Sequence, residues 1–310
     1  MKLLLCGFGS IGKRHFANSH ALIPDAEWTI VEPDRTLWHA GGRFIPELVV
    51  DSHYDAALIC SPTHLHAEQI DVIGERARAF FIEKPVAHDR QALATIQRAT
   101  AQRPTMVGCN YRFETGLVKV KELLADDAIG KPLSARAEFG QWLPSWRPQR
   151  DYRTGYAARR VTGGGVILDR IHELDYVTWL FGAPVAVKAM SGKLSALEIE
   201  TEDTAEIMLR FASGAIASVH VDYLQREYTC QLKIVGERGT IEWQYRPTRV
   251  RVLRDAWQTV FDDPAPDVNA MYIAELRHFF AAIAAGAPPC NDVAEAGRTL
   301  DIALSALEQA

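Results

Sequence analysis

The pattern that most constrains this chain is a glycine-spaced turn between a short apolar run and a helix. Leu3-Leu4-Leu5-Cys6 leads directly into Gly7-Phe8-Gly9-Ser10-Ile11-Gly12, then a helix-compatible segment, then Trp28-Thr29-Ile30-Val31 ending at Glu32. A strand, a glycine turn, a helix and a second strand in that order form a dinucleotide-binding unit. Gly7 permits the tight turn, Gly9 lets the backbone approach a pyrophosphate, and Gly12 lets helix pack on strand, while amide groups at the helix start hold the phosphate charge. Glu32, twenty residues beyond Gly12, stands where a carboxylate receives the adenosine ribose hydroxyls, and this turns a weak glycine motif into a specific one. A 2′-phosphate about 4 Å from that carboxylate would cost on the order of 4 kcal/mol at moderate dielectric. NAD is therefore expected over NADP, with Arg35 the residue that would hold a 2′-phosphate if Glu32 turned away.

Further apolar runs follow at Ala56-Ala57-Leu58-Ile59-Cys60, Ala79-Phe80-Phe81-Ile82 and Thr105-Met106-Val107-Gly108, separated by helix-like stretches such as His66 to Glu75 and Arg90 to Thr100. Alternating strands and helices predict an α/β Rossmann domain with a doubly wound parallel sheet. Ligands bind beyond the carboxyl ends of such strands. That places the Ser61-Pro62-Thr63 loop, with Thr63 as a helix cap and His66 in the first helical turn, at the ligand edge. Glu83-Lys84-Pro85 ends the next strand there too, so Lys84 is expected to face the crevice. The expected cofactor-binding set is Gly7, Gly9, Ser10, Ile11, Gly12, Glu32, Arg35, Ser61, Pro62, Thr63, His66, Glu83, Lys84 and Pro85.

At 310 residues the chain exceeds the size at which a single core usually stops growing, and it divides into residues 1–116 and 117–310, with the C-terminal helix available to pack back on the first domain. A net charge of −5 without a long basic run gives no electrostatic footprint for nucleic acid. The five cysteines are odd in number, widely spaced and without a CxxC pair, so neither a disulfide framework nor a metal site is expected and a reducing cytoplasm fits best. The three-leucine run before Gly7 is too short for a secretion signal, and no apolar run reaches membrane-spanning length.

From about Leu117 the pattern changes. Strand-like runs at Leu133 to Trp142, Val185 to Met190, Ala205 to Phe211, Ala215 to Tyr223, Gln231 to Val235, Thr240 to Trp243 and Val250 to Leu253 predict an α+β domain with a mostly antiparallel open sheet built as a meander. Gly163-Gly164-Gly165 precedes a predicted helix from Val166 to Phe181, on which Asp169, His172 and Asp175 or Tyr176 share one face. Just before the triplet, Trp142 to Arg160 carries Arg147, Arg150, Arg153, Arg159 and Arg160 with Trp146, Tyr152 and Tyr156 interleaved. Arginine forks suit carboxylates and phosphates, and aromatic faces suit sugar rings. Arg147, Tyr152, Arg153 and Tyr156 are therefore expected to cover an anionic sugar-like substrate.

With Gly7-x-Gly9-x-x-Gly12, Glu83-Lys84-Pro85, Asn110-Tyr111-Arg112-Phe113 and Gly163-Gly164-Gly165 followed by His172-Glu173-Leu174-Asp175, the chain resembles the glucose/fructose oxidoreductase, inositol dehydrogenase and rhizopine catabolism (Gfo/Idh/MocA) family over almost its whole length. The resemblance implies hydride exchange between a nicotinamide and a hydroxyl or ketone of a sugar, polyol, sugar acid or nucleotide sugar. It further implies that Lys84 lies beside the reacting carbon, that Pro85 follows a cis peptide, that His172 is a site residue, and that open sheets pair face to face in a homodimer or homotetramer. Many members carry an acid four residues before the histidine. Here Asp169 is three before it, a departure that counts against direct contact with substrate; Asp169 remains a catalytic candidate, by that contact or by orienting His172.

A histidine ordinarily titrates near about 6.5 and a lysine near about 10.4, so His172 is the expected base and Lys84 the cation that polarises the oxygen. Asn110 and Arg112 are expected near the substrate, with packing between domains as the rival reading. Two other functions use the same residues: a redox-neutral elimination, hydrolysis or epimerisation with recycled NAD, and a non-catalytic NAD-binding regulator.

Overall fold

The computed structural model describes residues 1–39, 41–49 and 51–309. The chain divides into two compact units, one of residues Met1–Asn110 with Tyr272–Gly297, the other of Tyr111–Met271 with the stretch from Arg298 onward. The boundary expected near residue 116 falls between Asn110 and Tyr111, and the C-terminal stretch that belongs with the first unit is Tyr272–Gly297.

The first unit runs β1 (Lys2–Cys6), α1 (Ser10–Leu22), β2 (Glu27–Val31), β3 (Arg43–Ile45), β4 (Ala56–Ile59), α2 (His66–Ile73), β5 (Phe80–Glu83), α3 (Arg90–Thr100) and β6 (Thr105–Gly108). Its six strands are ordered β3-β2-β1-β4-β5-β6, and all pairings are parallel. Strands β4, β5 and β6 are buried throughout, as continuous apolar runs covered on both faces must be. The strand order reverses between β1 and β4, and the loops after these two strands meet there. Asp89 caps α3 by accepting from the Ala92 amide at 2.7 Å. Thr63 opens a 3-10 turn ahead of α2, and Leu65, the residue immediately before the helix, makes no side-chain capping bond.

The second unit holds α4 (Thr115–Ala125), β7 (Pro132–Gly140), α5 (Val166–Asp169), α6 (Ile171–Phe181), β8 (Pro184–Gly192), β9 (Thr204–Phe211), β10 (Ile216–Asp222), β11 (Thr229–Gly236), β12 (Thr240–Gln244), β13 (Thr248–Leu253) and β14 (Trp257–Asp263). The eight strands are ordered β14-β13-β12-β11-β7-β10-β9-β8. The sheet is mostly antiparallel but is not a simple meander. β7 inserts between β11 and β10 and runs parallel to β10. Strict alternation of buried and exposed residues along β9 and β11 packs one face on a core containing Phe139, Tyr176, Phe211 and Trp243 and leaves the other open.

Two helices complete the chain, α7 (Val268–Ala284) and α8 (Val293–Leu307). From Tyr272, α7 belongs to the first unit. The segment after it is tied to β6, where the Val107 amide donates to Asn291 O at 2.8 Å and Asn291 Nδ2 returns a bond to Val107 O at 2.9 Å. Among the described residues, no helix is long and apolar enough to cross a membrane.

Candidate functional site

The glycine turn explains itself atom by atom. Gly7 has φ +89°, and a side chain there would strike the backbone of Ser61 at 2.6 Å. A side chain on Gly12 would strike the Gly7 carbonyl oxygen. Both glycines are therefore demanded by the protein's own backbone where β1 and β4 diverge. Gly9 differs: φ is −68°, ordinary for any residue, and nothing lies within 4 Å of where its Cβ would stand. Gly9 also caps α1 without any side-chain hydrogen bond, and no acid sits in the first turn. The exposed Ser10 and half-buried Ile11 thus begin a helix with no side-chain cap and with open space beside Gly9, which fits a pyrophosphate.

Glu32 is buried at the end of β2, with one carboxylate oxygen accepting from the Phe8 amide at 2.8 Å and the other from the Asp34 amide at 3.0 Å. Two backbone donors hold the carboxylate against the glycine turn, so it is not turned away. Arg35 is exposed, its guanidinium 5.4 Å from the Trp38 ring centre. These residues fit a dinucleotide with free ribose hydroxyls.

The loops beyond β4 and β5 are linked through His66. Its ring nitrogens face the carbonyls of Ser61 at 2.9 Å and Val86 at 3.2 Å. Burial pushes its pKa below the usual histidine value, so the ring is neutral and its one N–H serves one of the two carbonyls. Ser61 further donates to Gln69 at 2.6 Å; Pro62 is exposed and Thr63 buried. Lys84 is half-buried just past β5, the Lys84–Pro85 peptide is cis, and Pro85 is buried. Glu83 is buried, with Oε1 on His15 Nε2 at 2.5 Å and Oε2 accepting from the Lys84 amide at 3.1 Å.

In the second unit the predicted single helix is broken. α5 ends at Asp169, and Arg170, at φ −102° and ψ 37°, separates it from α6. Asp169 therefore does not share a helical face with His172, whereas His172, Asp175 and Tyr176 all lie on α6. The break lets the Arg170 guanidinium stack over Phe139 at 3.4 Å and donate to the buried Glu173 at 2.7 Å. Asp169 accepts from the Tyr223 hydroxyl at 3.2 Å. His172 is buried, its ring centre 5.0 Å from that of Tyr111.

A cleft of about 600 Å³ is lined by Trp146, Arg147, Arg150, Tyr152, Tyr156 and Asp169, among others. It unites four of the residues expected at the substrate, Arg147, Tyr152, Tyr156 and Asp169. Arg153 is outside its lining, bound in a fork to Asp151 and reaching Glu198. Arg112 makes a buried two-pronged pair with Asp175 at 2.9 and 2.8 Å, so its fork anchors α6 beside His172. Asn110, the last residue of the first unit's leading segment, is buried.

The glycine triplet holds this cleft's wall. The Gly164 and Gly165 amides donate to Arg159 O and Ala157 O, each at 3.0 Å. A side chain on Gly164 would strike the carbonyl oxygens of Tyr156, Arg159 and Ala157, and one on Gly165 (φ +106°) would strike the Glu202 carboxylate. Sequence reasoning missed Glu202, Tyr223, His15 and Glu275, because each meets its partners from a distant part of the chain.

A parallel sheet with a ligand-ready glycine turn where its strand order reverses, joined to a mostly antiparallel open sheet, defines a two-domain dinucleotide-dependent oxidoreductase. Residues 1–111 match the family model described as oxidoreductase family, NAD-binding Rossmann fold, and residues 117–242 match the GFO/IDH/MocA C-terminal domain. The chain belongs to the Gfo/Idh/MocA oxidoreductase family, and its first unit is an NAD-binding domain. It is 30% identical over 274 residues to the uncharacterized oxidoreductase YrbE of Bacillus subtilis (strain 168), covering 81% of this chain and 75% of that protein. It is 28% identical over 260 residues to a myo-inositol 2-dehydrogenase of Thermotoga maritima, covering 78% of this chain and 73% of that one. The fold matches levoglucosan dehydrogenase in complex with NADH at a TM-score of 0.86 and 22% identity, over 100% of this chain and 96% of the other.

Proposed function

We propose that this protein is an NAD-dependent dehydrogenase acting on a secondary hydroxyl of a sugar-like molecule, with a carboxylate or phosphate on the substrate. The observation that carries the reading is Lys84 at the carboxyl end of β5, in the NAD-binding unit and beyond the strand ends where such sheets bind ligands. Relatives named for inositol and levoglucosan support a polyol or sugar class.

Bound NAD supplies a nicotinamide that takes up or returns a hydride. Lys84 holds and polarises the substrate oxygen, stabilising the negative charge that develops there. His172 takes the hydroxyl proton, since a neutral imidazole nitrogen can accept one. Asp169, fixed by Tyr223, orients substrate from the wall of the cleft, where Arg147 receives an anionic group and Tyr152 and Tyr156 offer ring faces. The reading predicts that Lys84→Ala and His172→Ala each lower kcat by about 100-fold or more, followed by NADH absorbance, while NAD titration shows retained binding. Near wild-type turnover in either variant would remove that residue's role. Equal activity on neutral and carboxylated sugars would remove the anionic preference.

The open sheet face supports a homodimer. Met208, Ser218, Arg136, Lys233, Glu242 and Arg251 form one cross-strand row on it, and Met190 and Ile216 are exposed on the same face. The buried thiols Cys6, Cys60 and Cys230 support a cytoplasmic location.

A further inference from the structure

Directly behind Lys84 lies a closed cluster of ionisable groups from three elements of the first unit: His15 on α1, Glu83 on β5 and Glu275 on α7. One ligand-type atom from each lies within 4.8 Å of those from the other two. His15 and Glu275 are fully buried and Glu83 nearly so. Rings surround them: Phe81 and Tyr272 lie 5.0 and 6.0 Å from the His15 ring, and Phe279 lies 5.6 Å from Phe81. Water has little access, and the medium around the carboxylates is weakly polarisable.

The two carboxyl groups are not equivalent. Glu83 is surrounded by donors, with His15 Nε2–H on one oxygen and the Lys84 amide on the other. Neither Glu275 oxygen has a hydrogen-bond partner among the described residues. Two ionised carboxylates this close in an apolar pocket repel each other, and the one without donors gives way. Burial first, and the charge of Glu83 second, drive the Glu275 carboxyl well above the usual range.

We propose that Glu275 is held as a neutral carboxylic acid, a polar group within 4.8 Å of the Glu83–His15 pair rather than a second charge beside it, making it a positioning residue for Lys84. The single negative charge of the cluster then resides on Glu83, whose carboxylate grips the Lys84 backbone amide and so fixes where the lysine leaves β5. His15 orients Glu83, and Glu275 keeps the charge there rather than on α7. The inference rests on the proposed role of Lys84.

The test compares Glu275→Gln, which keeps a neutral polar group of the same shape, with Glu275→Leu, which fills the space with an apolar one, in the full-length protein. Glu275→Gln is expected to keep kcat within about twofold of wild type. Glu275→Leu is expected to lower kcat about tenfold or more at unchanged NAD affinity, as a misplaced catalytic group does. Infrared difference spectra should show a protonated carboxyl band in the wild-type protein that disappears in Glu275→Gln. If both variants lose activity equally, the acid must be ionised; if Glu275→Leu matches wild type, it positions nothing; either result overturns the proposal. A stoichiometric divalent cation in the purified wild-type protein, lost in Glu275→Gln, would overturn it in favour of a metal site. Lys84→Ala measured alongside separates the two readings. Full activity there indicts the role of Lys84, whereas an inactive Lys84→Ala with a normal Glu275→Leu indicts only the cluster.

Discussion

At the start of α1, the turn from Gly7 to Gly12 closes on itself through Gly7 and Gly12 but leaves open space beside Gly9. At the start of α5, the triplet Gly163 to Gly165 is closed everywhere: its amides donate to the carbonyls of Arg160, Arg159 and Ala157, and the Glu202 carboxylate sits against Gly165 and accepts from the Ile167 amide at 3.1 Å. Both turns lead into a helix, and both need glycine for backbone reasons. A helix start attracts negative charge, and the two regions meet that demand differently. The second unit supplies its own carboxylate, while the first leaves the position to a ligand. A glycine-rich turn therefore marks a place where atoms come close, and the tertiary structure decides whose atoms they are.

The largest expected effect tests the closed turn. Gly165→Ala forces a side chain into φ +106° and ψ 153° and onto Glu202, and should destabilise the fold by about 3 kcal/mol, measured by urea unfolding. An unchanged stability with only a raised substrate KM would make this turn a ligand cradle like the first, and the contrast would collapse.

Gly9→Ala should do the reverse. Its backbone accepts alanine and no atom of the protein stands in the way, so stability should stay within about 0.5 kcal/mol. NAD affinity should fall about tenfold, equal to about 1.4 kcal/mol. Calorimetric titration checks it. Unaltered NAD binding would mean that the open space beside Gly9 holds no phosphate.

The smallest effect asks whether self-supplied charge also governs the second unit's open sheet. His220 bonds both Glu206 and Asp222 at 2.8 Å, and the Asp222 bond, partly opposed by burial and aided by Glu206, raises its pKa to about 9. A folded-state value above the ordinary one of about 6.5 means stabilisation that is complete below about pH 6.5 and lost as pH rises through about 9. Solvent screening of this partly exposed group leaves about 1 kcal/mol. Unfolding at pH 6 and pH 10 should show that loss in the wild type and not in His220→Gln.

Legibility in the sequence followed the range of the forces. Parallel strands buried on both faces are continuous apolar runs, so β4, β5 and β6 were readable. The three-residue β3 and the largely exposed edge strand β14 carry no such signal. Gly12 and Glu32 were readable because their partners, Gly7 and Phe8, lie within one βαβ unit, whereas the Ser61 backbone on which Gly7 closes comes from beyond β4. The break at Arg170 was not, because it depends on Phe139 stacking under the guanidinium from another strand.

The sequence by itself determined the dinucleotide unit, the class of sheet in each domain and the lysine at the end of β5, since these arise from local periodicity and from glycines near one another in the chain. Only the tertiary structure decided that Arg112 serves Asp175 and that Arg153 is held by Asp151 and Glu198. It alone gathered Arg147, Tyr152, Tyr156 and Asp169 into one cleft, and it alone brought His15 and Glu275 to Glu83. A charged side chain finds its partner through space, and chain position limits that choice only weakly.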